Sequence, residues 1–503
     1  MKIGLLPLDE RPVNTRYPAM IAAMSGATVL LPPAEQLSAL RQPANADQLL
    51  NWIADQLPTL DALIVDLEMI TFGGLIASRT TTTSIAEAVA RLDRLAKLRR
   101  RHPCVPLLGF SVITRISNAN DNIEEPLYWG TYGTRLYRFS QLSDRVRRGE
   151  SAPDELAALQ AEIPHDHLRD FLWRRHRNHT INLAALHLAA EGIFDLLVIS
   201  SDDTSPYGMG TREKAWITEL AERLDLLAPH SPLLMYPGAD EVGCALLARL
   251  LNQQAGRTPT IAPIYDSLAG AEITAPYEDG PARITVERQI RAVGGVLAMP
   301  DEADLVLAVA TPVPRRSEWH PDYAAQERSE RAEQLTALAQ QIAQRSANGQ
   351  AVILADIAYP NGADPACFDA LREQADLRKL AGYGAWNTAG NTIGTALAQG
   401  CAALDATTAE RRHAAERFLL RHYVEDWGYQ QIVRTEVRTW LAHQGLSDPT
   451  PALLAETVAR IELQLQACIE QLPGFAGRWQ VRNTRLPWQR TFEVDFDLEP
   501  RES

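Results

Sequence analysis

Residues 195–208 read DLLVIS-SDDTSPYG, a near-continuous apolar run that ends in two adjacent acids and a turn rich in Ser, Pro and Gly. Apolar runs of this length suit strands covered on both faces, as in a parallel sheet. Similar runs lie on either side: IGLLPL (3–8), TVLLP (28–32), ALIVD (62–66), VPLLGFSV (105–112), PLLMY (232–236), IAPIY (261–265), DLVLAVA (304–310), AVILAD (351–356) and KLAGYGA (379–385). Between them lie amphipathic stretches with apolar residues at helical spacing, such as 84–101 and 328–345. Alternating β and α segments predict the α/β class.

The expected architecture is a (β/α)8-like barrel over residues 1–403, with one or two strands outside it. A helical insertion is expected at 127–192 and a mostly helical C-terminal region at 404–503. Two doubly wound sheets are the alternative, with a boundary near residues 267–284, whose Gly, Pro and acidic content is that of a linker or lid. No internal repeat is evident.

The 503 residues are 46% hydrophobic and 22% charged, the composition of an ordinary globular protein. A net charge of −14 argues against nucleic-acid or anionic-membrane partners, which need a basic face. Five scattered cysteines without a CxxC pair read as buried thiols in a reducing compartment. With no signal-peptide pattern and no long apolar segment, a cytoplasmic protein without a membrane span is expected.

In parallel α/β folds the loops after the strands converge on one face, where ligands bind. Here those loops carry Asp9 and Arg11, then Asn118, then Asp202, Asp203 and Tyr207, then Asp240 and Glu241, and finally Trp386, Asn387 and Asn391. Two acid pairs, Asp202-Asp203 and Asp240-Glu241, are the catalytic candidates. Neighbouring carboxylates separate their pKa values, which supplies an acid and a base at one pH. Aromatics and amides beside them suit a sugar, through ring stacking and hydroxyl hydrogen bonds. Histidines (His102, His165, His167, His176, His179, His187, His230) fall in or beside helical stretches, so no metal and no cofactor are expected. No GxSxG, P-loop or GxGxxG motif is present.

Pro7–Asn14, Asp202–Gly208, Pro237–Glu241 and Trp386–Thr392 together resemble the bacterial family catalogued as domain of unknown function 4127, over nearly the whole chain. Two shorter likenesses imply an activity. The Asp202-Asp203 pair resembles the catalytic pair of O-GlcNAcase-type hexosaminidases, in which the first acid holds the acetamido group and the second protonates the leaving oxygen. Gly238-Ala239-Asp240-Glu241-Val242 resembles the Gly-Gly-Asp-Glu-Val strand end of family-20 hexosaminidases, although Ala239 stands for a Gly and no His precedes it. The expectation is an exo-acting β-N-acetylhexosaminidase with a carbohydrate substrate. Asp202 would orient the acetamido group and Asp203 would act as general acid/base. Asp9, Arg11, Asn118, Tyr207, Trp386, Asn387 and Asn391 would fix the sugar. A metal-dependent hydrolase or lyase on the same carboxylates, and a carbohydrate-binding protein without turnover, are the alternatives. The basic run with Arg174, Arg175 and Arg177 reads as a homodimer contact, a lid or a solvated helix face.

Overall fold

In the computed structural model, which describes residues 1–228 and 231–501, eleven parallel strands form two sheets. The first holds β1 (Lys2–Leu6), β2 (Thr28–Leu30), β3 (Ala62–Asp66), β4 (Leu107–Ile113), β5 (Leu196–Ser201) and β6 (Leu233–Pro237), in the order β2-β1-β3-β4-β5-β6. The second holds β7 (Thr260–Tyr265), β8 (Val296–Leu297), β9 (Leu305–Ala310), β10 (Ala351–Asp356) and β11 (Gly382–Gly384), in the order β8-β7-β9-β10-β11 read from its other edge. β12 (Trp479–Arg485) and β13 (Asp495–Pro500) make a separate antiparallel pair.

These pairings do not form the expected closed barrel. A barrel winds each new strand onto the same side of the last. Here β2 pairs on one side of β1 and β3 on the other, which makes β1 internal and leaves β2 and β6 as edges among the described residues. The next strand, β7, pairs with β8 and β9 and starts a second sheet.

Contacts divide the chain into two compact units: residues 1–10 with 28–243, and residues 11–27 with 244–503. Each sheet belongs to one unit, and each begins with the same order, 2-1-3-4-5, a common doubly wound arrangement. The repeat invisible in the sequence is therefore one of topology. Residues 267–284 lie inside the second unit, and the chain passes between units at 243/244.

In the first unit, Leu63 and Val65 of β3, Leu107 of β4, and Leu197 and Ile199 of β5 pack with helix residues such as Leu49, Ile53, Leu92, Leu95, Ile181 and Leu186. Ala62 and Ile64, which point to the opposite face, are equally buried, so the strand reads as a continuous apolar run. Local signals set the helix boundaries. Ser84 and Glu87 form a capping box before Ile85–Arg101, and Asp66 caps Leu67–Phe72 by accepting the Met69 N–H at 2.6 Å. Residues 127–192 contain helices Trp129–Arg147, Pro153–Ala161 and His165–Ala190. In the second unit, residues between 404 and 501 pack on the second sheet: Leu420, Val424, Ile461, Trp479 and Phe496 share a core with Val306, Val352 and Tyr383. A π-helical stretch, Tyr423–Val433, lies in this region.

Candidate functional site

The carboxyl end of β5 brings together the strongest cluster of charge in the first unit. Asp202 continues the ladder by donating its N–H to the Ile113 carbonyl at 3.1 Å. Asp203 then turns into the left-handed region (φ 44°), so the two side chains diverge. Each is held by its own arginine: Arg79 Nη2 donates to Asp202 Oδ2 at 2.8 Å, and Arg115 Nη1 to Asp203 Oδ2 at 3.0 Å. Glu124 links the two guanidinium groups, accepting from Arg115 at 2.9 Å and from Arg79 at 3.2 Å. Glu125 approaches Arg79 at 3.5 Å.

Electrostatics separate these acids. Burial and the adjacent Asp203 charge raise the Asp202 carboxyl above the ordinary aspartate range, although Arg79 and Arg115 oppose the shift. Burial pushes Glu125 up to about 7 against the pull of Arg79 and Arg115. The cluster therefore combines guanidinium-held carboxylates with a carboxyl that keeps its proton near neutral pH.

A second acid group sits where the strand order reverses, between β1 and β3, the usual ligand crevice of doubly wound sheets. Asp66 and Glu68 are fully buried, Asp66 Oδ2 and Glu68 Oε2 have no hydrogen-bond partner among the described residues, and the charges of Glu68 and Asp9 repel that of Asp66. Ser111 Oγ donates to Glu68 at 2.8 Å and accepts from Asn182 Nδ2 at 2.8 Å. Burial raises both carboxyls, Asp66 well above the ordinary aspartate range and Glu68 to about 6. Asp66 and Glu68 follow a strand in the sequence but gave no sign of facing each other.

In the other acid pair, Glu241 reaches back into its own turn. Glu241 is fully buried and accepts the Ala239 N–H at 3.0 Å. Its carboxylate folds so closely over Gly238 (φ 142°) that a Cβ there would lie 2.1 Å from Glu241 Oε1. Asp240 beside it is buried. Asn118 is exposed on the loop after β4. The Tyr207 ring lies under Arg145, at 4.2 Å, and Arg148, at 5.0 Å, so its face is covered by cations of the insertion.

In the second unit, Trp386, Asn387 and Asn391 are brought together at the start of helix Ala389–Ala403. Thr388 caps that helix and accepts the Asn391 N–H at 3.4 Å, while Glu278 accepts the Gly390 N–H at 2.8 Å. Trp386 is buried with its ring 6.0 Å from Phe492. Asn387 (φ 67°) accepts the Asn361 N–H through its carbonyl at 3.0 Å. Arg11 bonds Glu493 at 3.2 Å and lies over the Trp488 ring.

Among the described residues no group of three or more His, Cys, Asp or Glu side chains is arranged to hold a metal ion. His179 is buried, and burial together with Arg175 lowers it to about 4. His230 lies outside the described residues. All five cysteines are free; four are buried, whereas Cys104 is exposed. No described helix is long and apolar enough to cross a membrane.

Fold and site define an α/β protein with two parallel sheets of like strand order and an arginine-held acid cluster at the end of β5. The chain belongs to the family described as "Protein of unknown function (DUF4127)", which matches residues 3–497. No curated protein and no solved structure matches it.

Proposed function

We propose that the chain is a glycoside hydrolase acting on terminal amino sugars, an exo β-N-acetylhexosaminidase whose acid pair is Asp202-Asp203. One observation carries this reading: two adjacent carboxylates diverge from a strand end, each fixed by a separate guanidinium, and one is raised by burial and by its neighbour. That is the asymmetry acid–base chemistry on a glycosidic bond requires.

The direction of the shift exchanges the roles expected from the sequence. Asp202 donates its proton to the departing glycosidic oxygen as the substrate's acetamido oxygen attacks C1 and the C1–O bond breaks. Asp203 accepts a hydrogen bond from the acetamido N–H, and its charge offsets that of the cyclic oxazolinium. Water then attacks C1 as the C1–O bond of the oxazolinium ring breaks, which restores the acetamido group, and the attacking water gives up a proton to Asp202. Substrate assistance removes the need for a second carboxylate as nucleophile, the usual arrangement in retaining enzymes. The commitment of Glu241 to its own turn makes Asp240-Glu241 the weaker pair.

The test is a panel of chromogenic β-glycosides of N-acetylglucosamine, N-acetylgalactosamine and their unacetylated counterparts, assayed with and without EDTA. Hydrolysis of the N-acetyl members, unaffected by chelator, is expected. Turnover of only the unacetylated sugars would remove the substrate-assisted step, and inactivity on every member would overturn the activity.

A further inference from the structure

The basic run of helix His165–Ala190 is turned inward, onto the backbone that carries the two site arginines. Arg177, which is 1% exposed, donates to the carbonyls of Thr81 at 2.7 Å and Thr83 at 3.2 Å, and also to Ser78. Asn178 adds a second bond to the Ser78 carbonyl at 3.0 Å. Arg174 donates to the carbonyls of Thr81 at 2.6 Å and of Arg79 itself at 3.3 Å. Together they grip residues 78–83 from both sides of Arg79, whose side chain ends on Asp202.

Arg175 does the same for the other arm. It is clamped by Glu213, with Nε 3.0 Å from Oε1, and its Nη1 donates to the Thr114 carbonyl and to Thr114 Oγ1 at 2.9 Å. The Arg115 carbonyl lies 3.5 Å from the same nitrogen, and the Arg115 side chain ends on Asp203. Among the described residues Arg177 forms no ion pair: its hydrogen-bond acceptors are backbone carbonyls and the Asn178 amide oxygen, and Asp170 acts on it only through its charge. Burying a guanidinium on carbonyls alone is costly, and Lys could not reproduce its fork.

We propose that Arg174 and Arg177, through Arg79, and Arg175, through Arg115, are positioning residues for Asp202 and Asp203. This rests on reading Asp202-Asp203 as the acid pair. The groups facing that pair are Arg79, Arg115, Glu124 and Glu125, and none belongs to the helix. The helix therefore acts on Asp202 and Asp203 through backbone position, while the charge of Arg175 also reaches Glu125. Arg115 acts on Asp202 as well, and Glu124 bonds both arginines, so the two relays predict effects of unequal size on the two acids, which a single structural clamp does not.

The experiment follows the carboxyl carbons of Asp202 and Asp203 by 13C NMR titration in the full chain, alongside kcat and KM on N-acetyl glycosides. Arg175→Gln is expected to perturb the Asp203 carboxyl resonance more than that of Asp202 and to lower kcat about tenfold or more with KM nearly unchanged. Arg174→Gln is expected to perturb Asp202 more than Asp203. Arg175→Lys, which keeps the charge but loses the fork, should fall between Arg175→Gln and wild type, and it serves as the readout where Arg175→Gln does not fold. Arg169→Gln, an exposed position on the same helix, should change nothing. Variants that melt earlier yet leave both carboxyl titrations at their wild-type positions would overturn the proposal, as would equal movement of both acids in every variant. If the wild-type chain turns over no glycoside, the enzymatic reading fails on its own, and the carboxyl titrations still decide the positioning roles.

Discussion

The two units repeat one strand order and finish it differently. In the first, the crevice between β1 and β3 holds the buried acids Asp66 and Glu68, both raised by burial, and the end of β5 offers Asp202 and Asp203, partly exposed, on Arg79 and Arg115. In the second, the equivalent crevice between β7 and β9 is closed. Asp266 accepts both the Thr311 N–H at 2.8 Å and its hydroxyl at 2.7 Å, and Arg331 bridges Asp266 at 3.1 Å to Asp364 at 2.6 Å. Asp364 and Asp356 then cap the following loop and helix: the Asp364 N–H donates to Asp356 at 2.7 Å, and Asp364 accepts from Ala366 at 2.9 Å. One topology thus supplies a half-open polar edge in one place and a fully paired one in the other. Strand order sets where polar side chains converge, while the residues at the strand ends decide whether they remain available for chemistry.

Four substitutions can break or sharpen this contrast. The largest effect is expected from Asp202→Asn, which should lower kcat about 10²–10⁴-fold without loss of fold, as checked by kinetics and circular dichroism. A folded variant with unchanged turnover would make the first edge as structural as the second. Next comes Arg331→Met. It leaves Asp266 and Asp364 buried without their cation and should cost about 3–5 kcal/mol in urea unfolding. Loss of turnover at unchanged stability would instead make the second edge functional.

Glu125→Gln tests the charge state of the first edge. The Glu125 carboxyl is raised from 4.5 to about 7 by burial, so the folded state holds its proton more tightly than the unfolded chain does. Its contribution to stability is complete below about pH 4.5 and is lost as pH rises through about 7. The glutamine variant should match wild type in acid and exceed it by up to about 3 kcal/mol above pH 8, measured by urea melts across pH. A pH-independent difference would place the proton elsewhere in the cluster. The smallest effect is expected from Thr388→Ala, which removes the cap of helix Ala389–Ala403 and should cost about 1 kcal/mol with turnover unchanged.

Much of the fold was legible because strands such as β3, β4, β5, β9 and β10 bury both faces. ALIVD and AVILAD end where β3 and β10 end, and most other runs agree within a residue or two. The strand order was not legible. Whether β2 pairs on the near or far side of β1 depends on contacts that no local pattern records, and that single choice separates a barrel from two sheets. β8 was missed because it is two exposed residues long. At the site, Asp202 and Asp203 stood out as an acid pair at a strand end, but the arginines that hold them did not. Arg79 also follows a strand, β3, but it lies 123 positions from Asp202 and nothing in the sequence pairs the two. Arg174, Arg175 and Arg177 looked like a solvated, dimeric or lid-forming basic face because composition does not reveal which way a helix turns; their targets are carbonyls, which leave no trace in the sequence.

The division of the chain also carries a consequence for its synthesis. Residues 11–27 belong to the second unit, yet the rest of that unit begins at 244. The helix Pro12–Met24, with Val13, Tyr17, Ile21 and Ala22 destined for burial, leaves the ribosome long before the helices Ala389–Ala403 and Ala409–His422 that it packs against. At ordinary elongation rates that delay is on the order of tens of seconds, during which the first unit's remaining strands are made. The nascent chain must therefore carry an unpartnered apolar helix through most of translation. Early demand for a holding chaperone, and poor yield from any fragment cut after residue 243, are built into this chain order.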